Sequence, residues 1–445
     1  MRVMFFKIPN AFDSHCHFLA TGQVVLGLSL KNLKSPEDIQ NLQIHPHYYQ
    51  GSWLVGFGWD QNQWQKKEFP NFTILDKTFP TTPVFFSRND GHASWINSAA
   101  RDELKKSGYD FTTDPAGGKI ARDQKGNPTG ILFDQAHINA LMKLPRFNES
   151  QNKKFILKSQ SIFNHGGFTH VRDLSMTTDT WQILSVLAEK KELTICVEGF
   201  VTIENLADLQ PVLESIQQMK DSPNPYLRIQ GIKLFLDGSL GSKTAFLSQN
   251  YLSENADEKS CGKLCWNMED VKKVLLATWN HKLDFAVHTI GDEAAHQVVK
   301  LARSISAEGV LGRLHMEHVQ ILRPETIQMM KPLHITCHMQ PCHWLSDQSW
   351  LKNAIPADLI KQSFPWESLR RNKIDLQLGS DSPIETPSLI RNSQALKESA
   401  LLGWPELSVD WKQFHSHPDR TWVPSHTEFS DEEIIQVYFN GEAVL

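Results

Sequence analysis

Cysteine is scarce in this sequence. Six occur in 445 residues, at Cys16, Cys196, Cys261, Cys265, Cys337 and Cys342. Neither their number nor their spacing makes a disulfide framework, which points to a reducing, cytoplasmic setting. Cys261 and Cys265 bracket G-K-L, but a structural zinc there needs two more ligands nearby and none is evident. No apolar run approaches the roughly 18 residues that cross a bilayer. The opening M-R-V-M-F-F-K-I-P-N has too short an apolar run, and no small-residue cleavage site, for a signal peptide. Neither sign of charge dominates, since 45 Lys and Arg face 50 Asp and Glu for a net charge of −5. Nucleic acid and anionic membrane therefore find no support as partners, which leaves a small-molecule substrate. No G-x-G-x-x-G follows the first strand, so a dinucleotide site has no support either. Low-complexity segments, internal repeats and long linkers are absent too.

Histidine and tryptophan are plentiful, with 19 and 13 residues. The first suits metal chemistry and the second an apolar pocket. The second half of the chain has a rhythm. Short β-branched and aromatic runs lie at 167–175, 193–201, 227–238, 284–292, 313–320, 334–341 and 374–381. Helical stretches lie between or beside them at 151–165, 179–190, 204–220, 269–280, 293–307 and 323–331. A first strand at 8–17 brings the count of strands to eight. Strands alternating with helices predict a parallel sheet, and eight such units predict a closed (β/α)8 TIM barrel. An open doubly wound sheet is the alternative. On this count residues 1–17 hold the first barrel strand, 18–150 form a cap inserted between strands 1 and 2, and 151–445 complete the barrel. The insertion has strand-like pieces of its own, GSWLVGFGWD at 51–60 and TPVFFSRND at 82–90.

Barrel chemistry gathers at the C-terminal ends of the strands. His15 and His17 end strand 1 in D-S-H-C-H, and residues i and i+2 of a strand share a face. Strand 4 carries Lys233 inside an apolar run. Strand 5 carries His288, strand 6 carries His318, and Asp381 follows strand 8 in L-G-S-D-S-P. Each has an ordinary explanation taken singly. Histidines at strand ends are commonly hydrogen-bonded, an aspartate in S-D-S-P can cap a helix, and a lysine can snorkel or pair. Together they favour a divalent metal, because converging imidazoles and carboxylates, with a buried lysine, are costly without one.

The ordered set HxH, Lys, His, His, Asp resembles the amidohydrolase superfamily. The similarity is closest to its amidohydrolase family 3 branch, which includes N-substituted formamide deformylases. It rests on DSHCHF, GFGWDQNQW (56–64), RNDGHASWINSAA (88–100), GNPTGIL (126–132), GIKLFLDGSLGSKTA (231–245), VHTIGDEA (287–294), MEHVQ (316–320), MQPCHWLSD (339–347) and GSDSPIE (379–385). The resemblance implies one or two metal ions, most often zinc. His15, His17 and Asp381 would hold one and His288 and His318 the other, with a carboxylated Lys233 between them. It also implies a small β-sandwich built from both termini. Here the first histidine comes at residue 15 and the chain ends soon after a predicted helix at 430–443, so that sandwich is expected to be largely absent. A homodimer is compatible with the resemblance.

The implied reaction is hydrolysis of a C–N bond in an amide, formamide or related group by a metal-activated hydroxide. Asp381 would act as base and then acid, and His92 or His343 would donate to the oxyanion. Trp59, Asp60, Trp64, Asp90 and Asp237 are candidate substrate contacts, and Gln63 is a further polar candidate. Cap core for the tryptophans and a turn role for Asp237 are the plainer readings. The aromatic-rich cap suggests an apolar or aromatic group on the substrate. Arg172 and Asp173 are read as an ion pair ending strand 2. Two other functions stay open: isomerase or lyase chemistry on the same metal site, and a non-catalytic binding protein on a decayed barrel.

Overall fold

The computed structural model describes residues 5–9, 11–252, 259–401, 420–424, 436–439 and 442–443. Eight strands form one sheet in which every pairing is parallel. They are β1 (Phe12–Cys16), β2 (His170–Asp173), β3 (Cys196–Thr202), β4 (Leu227–Phe235), β5 (Asp284–Thr289), β6 (Leu314–His318), β7 (Ile335–Met339) and β8 (Asp375–Leu378). The first and last are brought together by the segment after β8. His17 N donates to Ser382 O at 2.8 Å, and Asp381 N donates to His15 O at 2.7 Å. Gly379 lies so close to β1 that a Cβ there would stand 2.6 Å from His15 N. The sheet is thus a (β/α)8 barrel, nearly closed, with helices between its strands.

Strand alternation divides the side chains. On β4, Ile232 and Leu234 join the large apolar cluster, while Lys233 and Phe235 share the opposite face, with Lys233 Nζ 4.5 Å from the Phe235 ring centre. On β6, Leu314 and Met316 join the same cluster. His315 and Glu317 lie on the other face, where His315 meets His338 of β7 and Glu317 meets Arg172 of β2. The barrel interior is therefore unusually polar.

The helices fall where the periodicity predicts, at Glu149–His165, Thr178–Glu189, Leu209–Lys220, Met268–Asn280, Asp292–Ala307 and Pro324–Met330. Between β1 and β2 lies a second sheet of seven strands. Trp53–Trp59, Val84–Arg88, Ala93–Ile96 and Pro128–Asp134 are its middle. Both of its faces are buried. Phe86 and Ile131 belong to one apolar cluster, and their neighbours Phe85 and Leu132 to another.

Two expectations need correction. The predicted strand 8–17 is two strands: Phe12–Cys16 enters the barrel, while Phe5–Pro9 pairs antiparallel with Arg420–Pro424. The predicted helix 430–443 is not helical where it is described. Gln436–Phe439 and Glu442–Ala443 are strands that extend that same sheet to four, and the rest of the segment lies outside the described residues. S-D-E-E reads as a helix start, but Q-V-Y-F is strand-forming and finds a pairing partner in Arg420–Pro424. Of the sandwich, the described residues contain this single four-stranded sheet.

Candidate metal centre

His15 leaves β1 with its imidazole fixed at both ends. Its Nδ1 stands 2.6 Å from Glu317 Oε2 and its Nε2 stands 3.2 Å from Asp381 Oδ1. His17 follows the strand as the cap of helix Phe18–Leu26 and brings its Nε2 within 3.4 Å of the same Asp381 oxygen. Asp381 Oδ2 is 4.0 Å from His318 Nδ1 and 3.6 Å from His343 Nε2. Two sets of donors thus lie close enough to hold an ion: His15, His17 and Asp381, and His318, His343 and Asp381. The His288 ring is 4.4 Å from that of His318 and 4.9 Å from that of His92. Lys233 is completely buried.

Backbone strain accompanies this convergence. His318, Val319 and Asp381 have φ of 70°, 47° and 56°, left-handed values that non-glycine residues seldom adopt. Asp13 supports the turn, since its Oδ1 accepts from His15 N and from Ser380 N.

Five buried polar atoms here have no hydrogen-bond partner: His15 Nε2, His288 Nδ1, His343 Nε2, Lys233 Nζ and Asp381 Oδ1. Each such group costs about 1–3 kcal/mol when left unsatisfied. A divalent cation would satisfy the imidazole and carboxylate donors together, so the residues present fit a metal.

Electrostatics reinforce that fit. Burial pushes the His15 imidazole down, but Asp381 and Glu317 outweigh it and hold its pKa above the usual value. Burial also opposes ionisation of Asp381, yet His15 and His17 keep its carboxyl well below the ordinary range. Burial, with His318 and His92 adding to it, holds His288 well below 6.5, so it is neutral and its nitrogen lone pair is available. Burial lowers Lys233 to about 8.

The remaining sequence candidates fall in different places. His92 points Nδ1 at Asp134 Oδ1, 2.9 Å away, from the turn that leads into strand Ala93–Ile96. Asp90 is saturated by Arg88, Ser239, Ser242 and the His92 N–H. Asp60 takes Arg88 Nη2 at 2.6 Å and lines the cavity, as does Gln63. Asp237 accepts three backbone N–H groups, from Phe246, Ile290 and Gly291, and so ties the β4 loop to the β5 loop that follows His288. Trp59 and Trp64 are buried in the core of the seven-stranded sheet, against each other and Trp95, and neither lines the cavity. Arg172 does not pair with Asp173. Successive strand residues face opposite ways, so Arg172 reaches Glu317 while Asp173 accepts from Phe18 N and Ser175 N. Cys261 and Cys265 belong to neither metal-capable group.

Three residues of the site carry no motif of their own. Glu317 orients His15, Gln340 takes His318 Nδ1 at 2.9 Å, and Gln320 approaches His343 Nδ1 at 3.3 Å. Glu317 and Gln320 flank His318 in M-E-H-V-Q, and Gln340 precedes P-C-H, so nearness to a ligand was the available signal. The cavity above these groups measures about 1000 Å³ and is walled by both the barrel and the seven-stranded sheet.

The family model described as the amidohydrolase family matches residues 8–396. The chain belongs to the amidohydrolase family. It is a hydrolase of that superfamily, and the histidine–aspartate centre stands where such a barrel keeps its chemistry. YtcJ of Bacillus subtilis (strain 168), provisionally named an amidohydrolase, is 30% identical over 400 residues, covering 88% of this chain and 73% of its own. The N-substituted formamide deformylase of Arthrobacter pascens is 34% identical over 86 residues, 19% of this chain and 16% of its own. Among solved structures, an uncharacterized metal-dependent hydrolase from Pyrococcus furiosus superposes with a TM-score of 0.63 at 25% identity, over 88% of this chain and 77% of its own. A second, from Pyrococcus horikoshii, shares the fold at 23% identity, with a TM-score of 0.65 over 88% of this chain and 74% of its own.

Proposed function

We propose that this amidohydrolase cleaves a C–N bond, in an amide, formamide or related group, with a divalent metal that the imidazole and carboxylate donors suit to zinc. The observation carrying this reading is the pair of donor sets, His15–His17–Asp381 and His318–His343–Asp381, that meet at Asp381 on the wall of a large cavity. A bound divalent metal lowers the pKa of its water from about 15.7 to near 7 and polarises a carbonyl. His15, His17 and Asp381 would hold it, with His318, beside the same Asp381, and His288, next to His318, as donors to a second ion. Asp381 is ionised, so it can accept the proton of the attacking water and pass it to the departing nitrogen. His92 or His343, both on the cavity wall, would donate a hydrogen bond to the developing oxyanion. The seven-stranded sheet acts as a cap, bringing His92 and Asp60 over the barrel mouth. Lys233 is buried and easily deprotonated, and its free amine would add to carbon dioxide. One N–C bond would form as one proton leaves the amine nitrogen, and the resulting carboxylate would be available as a further ligand.

Elemental mass spectrometry on unchelated protein, paired with hydrolysis of N-substituted formamides and simple amides, tests this. One or two metals per chain, with turnover abolished by chelation and restored by zinc or manganese, is the expected result. Protein that takes up neither metal on reconstitution overturns the reading. Intact-mass analysis after incubation with labelled bicarbonate checks the Lys233 carbamate separately.

A further inference from the structure

Two helices line the cavity, one starting beside the candidate metal centre and one beside His92. Helix Phe18–Leu26 begins immediately after His17, and its Ala20, Gln23, Val24 and Gly27 line the cavity at helical spacing. Nine residues at 1.5 Å rise give a wall ~13 Å long. Helix Gln135–Leu141 begins immediately after Asp134, the partner of His92. Ile138, Leu141 and the following Met142 line the same cavity.

These walls are mainly aliphatic, with Gln23, Gln135 and His137 among them, and several of their apolar side chains are exposed. Large apolar side chains are mostly buried in this protein, yet Leu26 is 37% exposed, Leu141 42% and Met142 63%, and all three border this one cavity. Elsewhere the cavity lining includes the aromatic Phe57, Phe155 and Phe235 and the charged Asp60 and Asp90, both held by Arg88. An apolar track that starts beside a metal ligand is continuous with the reaction site and has a direction. Its aliphatic and thioether groups suit a flexible chain, since Met adapts to irregular partners.

We propose that the substrate carries an unbranched aliphatic chain of medium length on one side of the scissile bond, laid along Ala20, Val24, Leu26, Ile138, Leu141 and Met142. This rests on the hydrolase reading above for the scissile bond but not for the binding track. A cavity of about 1000 Å³ is at the upper end for small-molecule sites and has room for such a chain beyond the reacting group. Each methylene buried along the track should raise kcat/KM about two- to four-fold until the track ends.

Two chain-length series test this on the metal-loaded enzyme: N-acyl amides from acetyl to decanoyl, and N-alkyl formamides from methyl to decyl. Binding of the matching fatty acids and alkylamines, by calorimetry, is measured alongside. Rising kcat/KM that levels off within one series supports the track and names the side of the bond that occupies it. In Leu141→Asn and Met142→Asn the ratio of long- to short-chain kcat/KM should fall about ten-fold. Tightening of ligand binding with chain length, without turnover of either series, supports the track while removing the proposed reaction. Turnover of short substrates with no gain from added methylenes, and no chain-dependent binding, overturns the track and leaves the hydrolase intact.

Discussion

Glu317 takes the Nδ1 proton of His15 on one oxygen and the Arg172 guanidinium on the other. That arrangement leaves His15 Nε2, 3.2 Å from Asp381 Oδ1, as the ring nitrogen available to a cation placed between them. Glu317→Gln should therefore weaken metal affinity 10–100-fold, as measured by titration against a competing chelator. It also strands a fully buried Arg172, at a cost of about 3–5 kcal/mol in urea unfolding. Unchanged affinity would mean that His15 needs no orienting partner. His137 makes a pH prediction. Burial lowers its pKa to about 3, against 6.5 when free. A depressed histidine means that the unfolded chain binds the extra proton between those values, so stability falls as pH drops from 6.5 toward 3. From pH 6.5 to 5 the loss from this group is about 2 kcal/mol. Denaturant midpoints of His137→Leu should fall less steeply with acid than those of the unaltered protein. The candidate donors His15, His17, His318 and Asp381 were legible at this scale because they stand at or just beyond strand ends. The tryptophans were less so, since the sequence of G-F-G-W-D-Q-N-Q-W does not tell which strand face meets the cavity. Glu317 was hidden because a glutamate beside a histidine has no signature until its partner is placed.

Elements were legible wherever one period ran unbroken. β4 and helix Asp292–Ala307 fall close to their predicted positions for that reason. Phe12–Cys16 was harder, because the apolar run before it belongs to another sheet. Helix Phe18–Leu26 depends on a close contact that no periodicity reveals. A Cβ at Gly22 would meet Phe155 O at 2.0 Å, within helix Glu149–His165. Gly22→Val must push these helices apart, costing about 1–3 kcal/mol. Because His17 caps the first of them, the variant should lose metal affinity as well as thermal stability. A stability loss with unaltered metal binding would show that His17 is held by the barrel alone.

At the scale of the whole molecule, the termini pair in their own small sheet. Among the described residues, Arg420–Pro424 is the strand that pairs with Phe5–Pro9. Removing residues 420–445 should abolish hydrogen-exchange protection at Phe5–Pro9 while β4 to β6 stay protected. The double place of Asp381, as a candidate ligand and as part of the segment that closes the barrel, reaches beyond the finished fold. His15 and His17 are synthesised roughly 360 residues before Asp381, which at 5–20 residues per second is on the order of 20–70 s. Through that interval the growing chain holds half a binding site. Since both donor sets share Asp381, tight metal uptake is expected only once the last strand reaches the first. Ribosome-bound chains halted before Ser380 should leave labelled zinc in the medium, and chains released past the barrel should retain it.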